Sequence, residues 1–466
     1  MKILMIAIAF FCIVTANAQE TEQPLLSAEV FLNIVRLYHP VVRQAEIAID
    51  NAKAQQLAAR GMFDPELKTT TAQKKFDGIR YYNAVDPVLN IPTWYGVELY
   101  AGTGYLAGDR LDPTETIGKT SFAGVSLPLA KNLLMDKRRA ALKTAGIYRS
   151  LSVVEKRTVI NDLMLEASMA YWEWVSSYEL FKVISEAVQV NENRLKLVKN
   201  TVNLGERAAI DTVETAAQLQ SFRYLQNDAL LNFLNTGINL SAFLWKQNGE
   251  PFQMLPEITP TAGQLDIDFA LQPAAVVSNF IDSAIINHPK LKEFDFKLKV
   301  LDINRRLKFQ ELLPFVNLKY NHLGKGYDVL KTAGAFLSES NYRFSMSFSV
   351  PLRLSQGRGE YKMAKLKVNE TVIEKDFTRQ LIINKVSIAF NEFTNVKKQI
   401  TLQEEVYKNY LRLQLAEETR FFNGESSLFL INSRETKAIE ARQKLLEIKT
   451  KYFITEAKLK NAAGLL

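Results

Sequence analysis

Chemistry in this chain would have to come from very few groups. Its 466 residues include three histidines and one cysteine. His39 and His288 each stand directly before a proline, and His322 sits in an alternating stretch. None has the Cys, Asp or Glu company of a metal site or catalytic dyad. The first two read as caps at helix starts. No glycine-rich phosphate loop, HExxH pair or serine nucleophile elbow occurs, and the methionines are scattered rather than clustered. The sequence therefore predicts no enzyme, no metal and no cofactor. What does gather is charge at two chain reversals. Glu206, Arg207, Asp211 and Glu214 follow Gly205, and Glu425, Arg434 and Glu435 follow Gly424. Arg207 and Asp211 are four residues apart, so they share a helix face. They can pair within that helix, reach a tip of a neighbouring chain, or stand as solvated helix ends. Exposed pairs contribute only about 0.2–1 kcal/mol each, so any contact these charges make is weak and reversible.

The elements that position those charges are long. From Ile147 to Leu204 there is no Gly or Pro, and apolar residues recur every seventh position: Ile160, Ala167, Trp174, Phe181, Val188, Leu195 and Val202. Leu163, Ala170, Ile184 and Val198 form the companion row, with Ser177 and Asn191 as polar breaks. This is a coiled-coil pattern, and a helix over 147–204 would span roughly 87 Å. A second run free of Gly and Pro covers 360–423. Each run ends at a glycine suited to a left-handed cap, and a return helix follows, over 208–246 and 427–463.

The address is set by the first 18 residues. Lys2, a short apolar run and Ala16-Asn17-Ala18 read as a secretory signal peptide, too short to span a membrane. Cys12 falls inside it in a poor context for lipid attachment, leaving an exported chain without thiols or disulfides. The formal net charge of +8 fits lysine-rich helix faces better than a nucleic-acid partner in an exported protein. No later apolar run is long enough for a membrane helix, so membrane entry would require strands.

The chain also repeats itself. Tyr38-His39-Pro40 returns as Asn287-His288-Pro289, an offset of 249, and Pro65 returns as Pro314 at the same offset. After Pro314 the period changes to two. Val316, Leu318 and Tyr320 alternate with polar residues, as do Phe344, Met346, Phe348 and Val350, which make one oily strand face. The first copy is weaker: alternation over 67–72 and 123–127 flanks a long Tyr-, Trp- and Gly-rich loop from about 76 to 119. Within it, 97–105 reads equally as an extra strand or an extracellular loop. The organisation expected is a signal peptide (1–18), repeat 1 (19–248, hairpin 66–127), a proline-rich linker (249–273) and repeat 2 (274–466, hairpin 315–350). Four strands per chain cannot close a barrel, which takes about eight, so several chains would share one.

Four motifs in one order, twice over, resemble the TolC-like outer-membrane efflux protein family. They are the His-Pro helix starts, the Pro65 and Pro314 switches, the Pro128 and Pro351 strand exits, and the tips at 204–214 and 423–432. The resemblance covers essentially the whole exported chain. It implies a mixed α/β membrane protein: a homotrimer with a long α-helical coiled-coil barrel in the periplasm. That barrel would join a shared 12-stranded outer-membrane β-barrel, four strands per chain. It further implies an exit duct of a tripartite efflux pump or type I secretion system in a Gram-negative bacterium. The partners would be a periplasmic adaptor and an inner-membrane RND or ABC transporter. By the same resemblance Leu204, Gly205, Glu206, Asn423, Gly424 and Glu425 would meet the adaptor, and Asp211 matches a gate position. Leu430 and Ser433 occupy positions that can carry constricting aspartates. The competing reading, a secreted coiled-coil scaffold without a pore, has no use for the oily strand face.

Overall fold

The computed structural model describes residues 25–266 and 276–466; the expected signal peptide and the end of the linker lie outside the described residues. A two-residue strand β1 (Leu25–Leu26) leads to α1 (Ala28–Tyr38), whose N-cap Ser27 accepts from the Val30 amide at 3.3 Å. Helix α2 (Pro40–Gly61) opens on proline and ends before Pro65. Four strands follow: β2 (Glu66–Phe76), β3 (Ile79–Pro92), β4 (Glu98–Ala107) and β5 (Gly118–Pro128). Then come α3 (Lys137–Asn203), α4 (Ala209–Ser241) and a short β6 (Thr259–Pro260). The second round has α5 (Val277–Asn287), α6 (Pro289–Gln310), β7 (Phe315–Lys325), α7 (Val329–Gly334) with a 3₁₀ turn, and β8 (Tyr342–Ser349). It closes with α8 (Ser355–Phe422) and α9 (Leu428–Ala462).

Both long helices begin before the expected residues. Helix α3 starts where the Asp136 carboxylate accepts from the Arg139 amide at 2.7 Å, and it carries Gly146 inside. An interior glycine costs a helix only about 0.5–1 kcal/mol against alanine, too little to break one this long. Helix α8 likewise takes Gly357 and Gly359 into its first turns; a Cβ at Gly357 would lie 2.8 Å from the Glu311 carbonyl oxygen.

The described residues fall into two compact units, each drawing on several parts of the chain. The first comprises the residues up to His39, Glu166–Pro273 and Asn395–Ile454. Its core is aromatic. Trp174 and Tyr171 are fully buried, Tyr171 stacks on Phe31 at 5.3 Å, Trp172 stacks on Phe453 at 3.8 Å, and Trp174 faces Phe233 at 6.2 Å. The Tyr171 hydroxyl bonds the Leu26 carbonyl at 2.8 Å, tying β1 down, and β1 pairs in parallel with β6. All seven seam residues of 147–204 are buried or half-buried. The two polar breaks are buried as well and satisfied: Ser177 donates to the Trp174 carbonyl, and Asn191 donates to that of Ala187.

The second unit comprises Pro40–Leu165, Ala274–Thr394 and Thr455–Leu466. Its helical core packs Ala284, Leu291, Ile382, Val386, Ala389, Leu459, Ala462 and Ala463 against Phe280, Ile281, Phe390 and Phe393. Asn161 and Asn461 exchange side-chain amide donation to each other's carbonyls at 3.1 and 3.0 Å, and Asn161 also accepts from the Leu466 amide. The strands of this unit form one antiparallel sheet in the order β2-β3-β4-β5-β7-β8. This corrects the expected four strands: among the described residues this sheet has six. The loop expected within hairpin 66–127 is itself two strands, and 97–105 falls in β4. The alternation there was hidden by Pro87 and Asp86 in β3 and by Gly102 and Gly104 in β4. Glycines and prolines usually mark loops, but here the glycines make room: a Cβ at Gly102 would meet the Phe122 ring and the Pro87 carbonyl oxygen at 2.7 Å.

Candidate functional site

Two surfaces could do work here: the helix tips of the first unit and the faces of the sheet in the second. Both tips end in the same cap. Gly205 and Gly424 each have φ of +78°. The Glu206 amide donates to the Thr201 carbonyl and the Gly205 amide to that of Val202, both at 3.0 Å. Glu425 donates to Arg420 at 2.9 Å and Gly424 to Phe421 at 3.0 Å. This is a Schellman closure twice over, and it needs a residue tolerant of positive φ. Leu204, Gly205 and Glu206, and Asn423, Gly424 and Glu425, are all exposed. Open space surrounds both glycines.

The charges behind the tips form a graded set. Arg207 pairs with Asp211 within its own helix at 3.4 Å, and its guanidinium lies 4.0 Å from the Phe421 ring centre, linking the first tip to the second. Glu214 accepts from the Asn432 amide at 3.3 Å. Arg434 stands 4.0 Å from Glu417, which also accepts from Ser426 at 2.6 Å and lies 3.7 Å from Arg420. Glu435 is different from the rest. Its side chain is 3 % exposed and accepts two bonds from Arg194, at 2.7 and 3.2 Å, while Glu418 approaches the same guanidinium at 3.6 Å. Arg194, Glu417 and Glu418 were not singled out from the sequence, because they precede the tip glycines, and the Arg194–Glu435 pairing spans 241 residues. Leu430 and Ser433 are exposed.

The sheet separates polarity by face across all its strands. One row reads Leu67, Leu89, Ala101, Ala123, His322, Tyr342 from β2 to β8. Another on that side reads Ile91, Leu99, Val125, Tyr320, Phe344 from β3 to β8. The row between them points the other way and reads Glu66, Asn90, Tyr100, Gly124, Asn321, Arg343. Phe344, Met346 and Phe348 lie on the apolar side and are more than half exposed; Val350 lies just past the end of β8. At the loop end of the apolar side, α7 covers Ser121, Gly324 and His322. Thr332 bonds Ser121 at 2.8 Å, and a Cβ on Gly324 would sit 1.9 Å from the Thr332 hydroxyl. His322 is buried there beside Phe336, with no hydrogen-bond partner for either ring nitrogen among the described residues.

On the polar side, Glu98 accepts from Tyr100 and Arg138, Lys319 sits 4.4 Å over the Tyr100 ring, and Lys131 pairs with Glu311 at 2.5 Å. Glu98, Arg138, Lys131 and Glu311 line a cleft of about 530 Å³ with Ser126, Asn317 and Lys137. His288 caps α6, its Nδ1 accepting from the Lys290 amide at 3.2 Å. His39 packs on the Phe243 ring at 6.0 Å. No cluster of metal-ligating side chains occurs among the described residues.

The family model described as "Outer membrane efflux protein" matches residues 280–465. Two proteins from Pseudomonas putida, a "Probable efflux pump outer membrane protein SepC" and a "Toluene efflux pump outer membrane protein TtgF", are each 20% identical to this chain over 358 residues. Each match covers 76% of this chain and 72% of the relative. Among solved structures, the Campylobacter jejuni CmeC outer membrane channel superposes with a TM-score of 0.62 at 14% identity, covering 94% of this chain and 85% of its own. The open state of the Neisseria gonorrhoeae MtrE outer membrane channel gives 0.64 at 14% identity, covering 93% and 88%.

Proposed function

From a chain that resembles the outer membrane efflux protein family, matches its model over residues 280–465 and shares the fold of solved outer-membrane channels, we propose a passive exit duct of a tripartite efflux pump. It is an outer-membrane protein of Gram-negative type with helices on the periplasmic side, and it is not an enzyme. Three copies assemble into one pore. A periplasmic adaptor engages the exposed tips Leu204-Gly205-Glu206 and Asn423-Gly424-Glu425, and an inner-membrane transporter supplies the energy.

The observation that carries this reading is the face-segregated sheet. An apolar row running through all the strands, uncovered except where α7 lies on it, is what a lipid-facing wall requires. No described helix is long and apolar enough to cross a membrane, so the strands are the elements available for insertion. A secreted scaffold would have no reason to expose Phe344, Met346 and Phe348 on one side and Ser345, Ser347 and Arg343 on the other.

The resting closure rests on weak contacts. Arg207 holds Asp211 and the Phe421 ring at once, and exposed or half-exposed pairs of this kind are opened easily by a docking partner. The test is a liposome-swelling assay on the full-length chain and its Arg207→Ala/Asp211→Ala variant with a small neutral sugar. The duct reading expects sugar entry that rises in the variant. Folded, inserted protein that admits no sugar in either form would favour the scaffold.

A further inference from the structure

Helix α7 leaves its loop and lies back on the apolar side of the sheet, at the end remote from the helices that precede β7 and follow β8. Its seat is fixed. Thr332 bonds Ser121 at 2.8 Å, and Ser121 reaches the Asp328 carbonyl at 3.4 Å. In the 3₁₀ turn that follows, the Phe336 ring stands edge-on to Tyr320 at 5.7 Å and to His322 at 6.1 Å. The outer surface of the seat is apolar and open. Leu330 is 86% exposed, Phe336 53% and Tyr327 49%. Large apolar side chains gathered on one exposed corner mark a contact with lipid or with protein.

Two observations choose lipid. The first is depth. Tyr105, Tyr320 and Tyr342 lie on the apolar side at this end of the sheet, whereas Met346 and Phe348 lie further toward the helical end. Tyrosines at one end of an apolar strand face form the girdle that sits at a membrane's polar interface. The second is charge. Lys119 shares the apolar side of β5 with Ser121, and its Nζ stands 5.2 Å over the Tyr327 ring. Lys331 is exposed on α7. Neither lysine forms an ion pair among the described residues. The acids nearby are engaged elsewhere: Asp328 accepts from the Lys331 amide at 2.9 Å, Glu339 from the Asn341 side chain at 3.4 Å, and Glu115 pairs with Arg343 at 3.5 Å. Unpaired lysines at interface depth, beside exposed apolar side chains, attract anionic headgroups. We propose that α7 and its flanks form a seat for the phosphate-bearing lipid of the outer leaflet. Leu330 and Phe336 enter the acyl chains, and Lys119 and Lys331 meet the phosphate. The seat rests on the reading above, in which the apolar side faces lipid.

The test places an NBD fluorophore on one cysteine at a time in the assembled full-length protein with Cys12→Ser. Leu330→Cys, Met346→Cys and Ser347→Cys are reconstituted into phosphatidylcholine vesicles that contain either doxyl-labelled phosphatidylcholine or doxyl-labelled phosphatidylglycerol. Lipid should quench the Leu330→Cys and Met346→Cys probes and spare Ser347→Cys. For Leu330→Cys, phosphatidylglycerol should quench at a mole fraction about fivefold lower than phosphatidylcholine, the enrichment that one basic side chain gives at an anionic surface. That preference should shrink in high salt. It should vanish when Lys119→Gln and Lys331→Gln are added, while lipid still quenches Met346→Cys in the same background. A Leu330→Cys probe spared by lipid while Met346→Cys is quenched, whether open to water or covered by a neighbouring copy, would overturn the proposal and leave the duct intact. Equal quenching of Leu330→Cys by both lipids, or a preference that survives loss of both lysines, would overturn it as well. Reconstituted protein in which Met346→Cys is spared and no current passes would remove the duct reading itself and the proposal with it.

Discussion

Two glycines hold the tips in their present form. At φ +78° Gly205 and Gly424 sit where an L side chain is strained by about 1–2 kcal/mol each, and nothing nearby would clash with a Cβ. Gly205→Ala and Gly424→Ala should therefore each lower the urea midpoint by that strain alone, with the helical circular dichroism unchanged. A variant as stable as the parent would show that the caps do not need positive φ. His288 carries a second test at this scale. Burial, with the positive charge of Lys385 behind it, pushes its pKa down from 6.5 to about 4. A depressed pKa means the unfolded chain takes up a proton first, so stability present above pH 6.5 drains away as the pH falls toward 4. His288→Asn keeps a capping acceptor but cannot titrate there, and its stability should fall less than the parent's between pH 7 and 4. Identical pH profiles would mean the imidazole is not held neutral. Both features were legible in the sequence, because a left-handed glycine after a long helix and a His-Pro start are local. The Arg194–Glu435 pair was not, since its partners are 241 residues apart and nothing local marks them.

The elements carry the larger energies. With side chains 10% and 3% exposed, Arg194 and Glu435 form a buried pair, and removing one partner from such a pair costs about 3–5 kcal/mol. Glu435→Ala should fall at the lower end, because Glu418 remains 3.6 Å from the guanidinium, and Arg194→Met/Glu435→Met should recover part of the loss. A midpoint unmoved in Glu435→Ala would mark the pair as dispensable. An arginine on a lipid-facing strand at midplane costs about 2–4 kcal/mol, so with the apolar side proposed to face lipid, Phe348→Arg should reduce assembled protein while Ser347→Arg assembles normally. The reverse result would invert the faces assigned here. Strand β8 was readable because its alternation is strict and uninterrupted. Strands β3 and β4 were not, because Pro87, Gly102 and Gly104 imitate loop punctuation. The long helices were readable in extent but not in start, since their caps, Asp136 for α3 among them, lie upstream of the glycines that appeared to bound them.

At the scale of the whole molecule, two features carry the proposed duct: a sheet whose faces differ in polarity and a pair of weakly latched helix tips. The tip glycines and one oily hairpin were legible in the sequence; the registered polarity of the full sheet required the structure, because it depends on which strand lies beside which. Single-channel recording in planar bilayers tests the claim most directly. Purified oligomer should give discrete, uniform current steps, small at rest and larger in Arg207→Ala/Asp211→Ala, whose latch to Asp211 and the Phe421 ring is gone. Folded, bilayer-inserted oligomer that passes no current in either form would contradict the account.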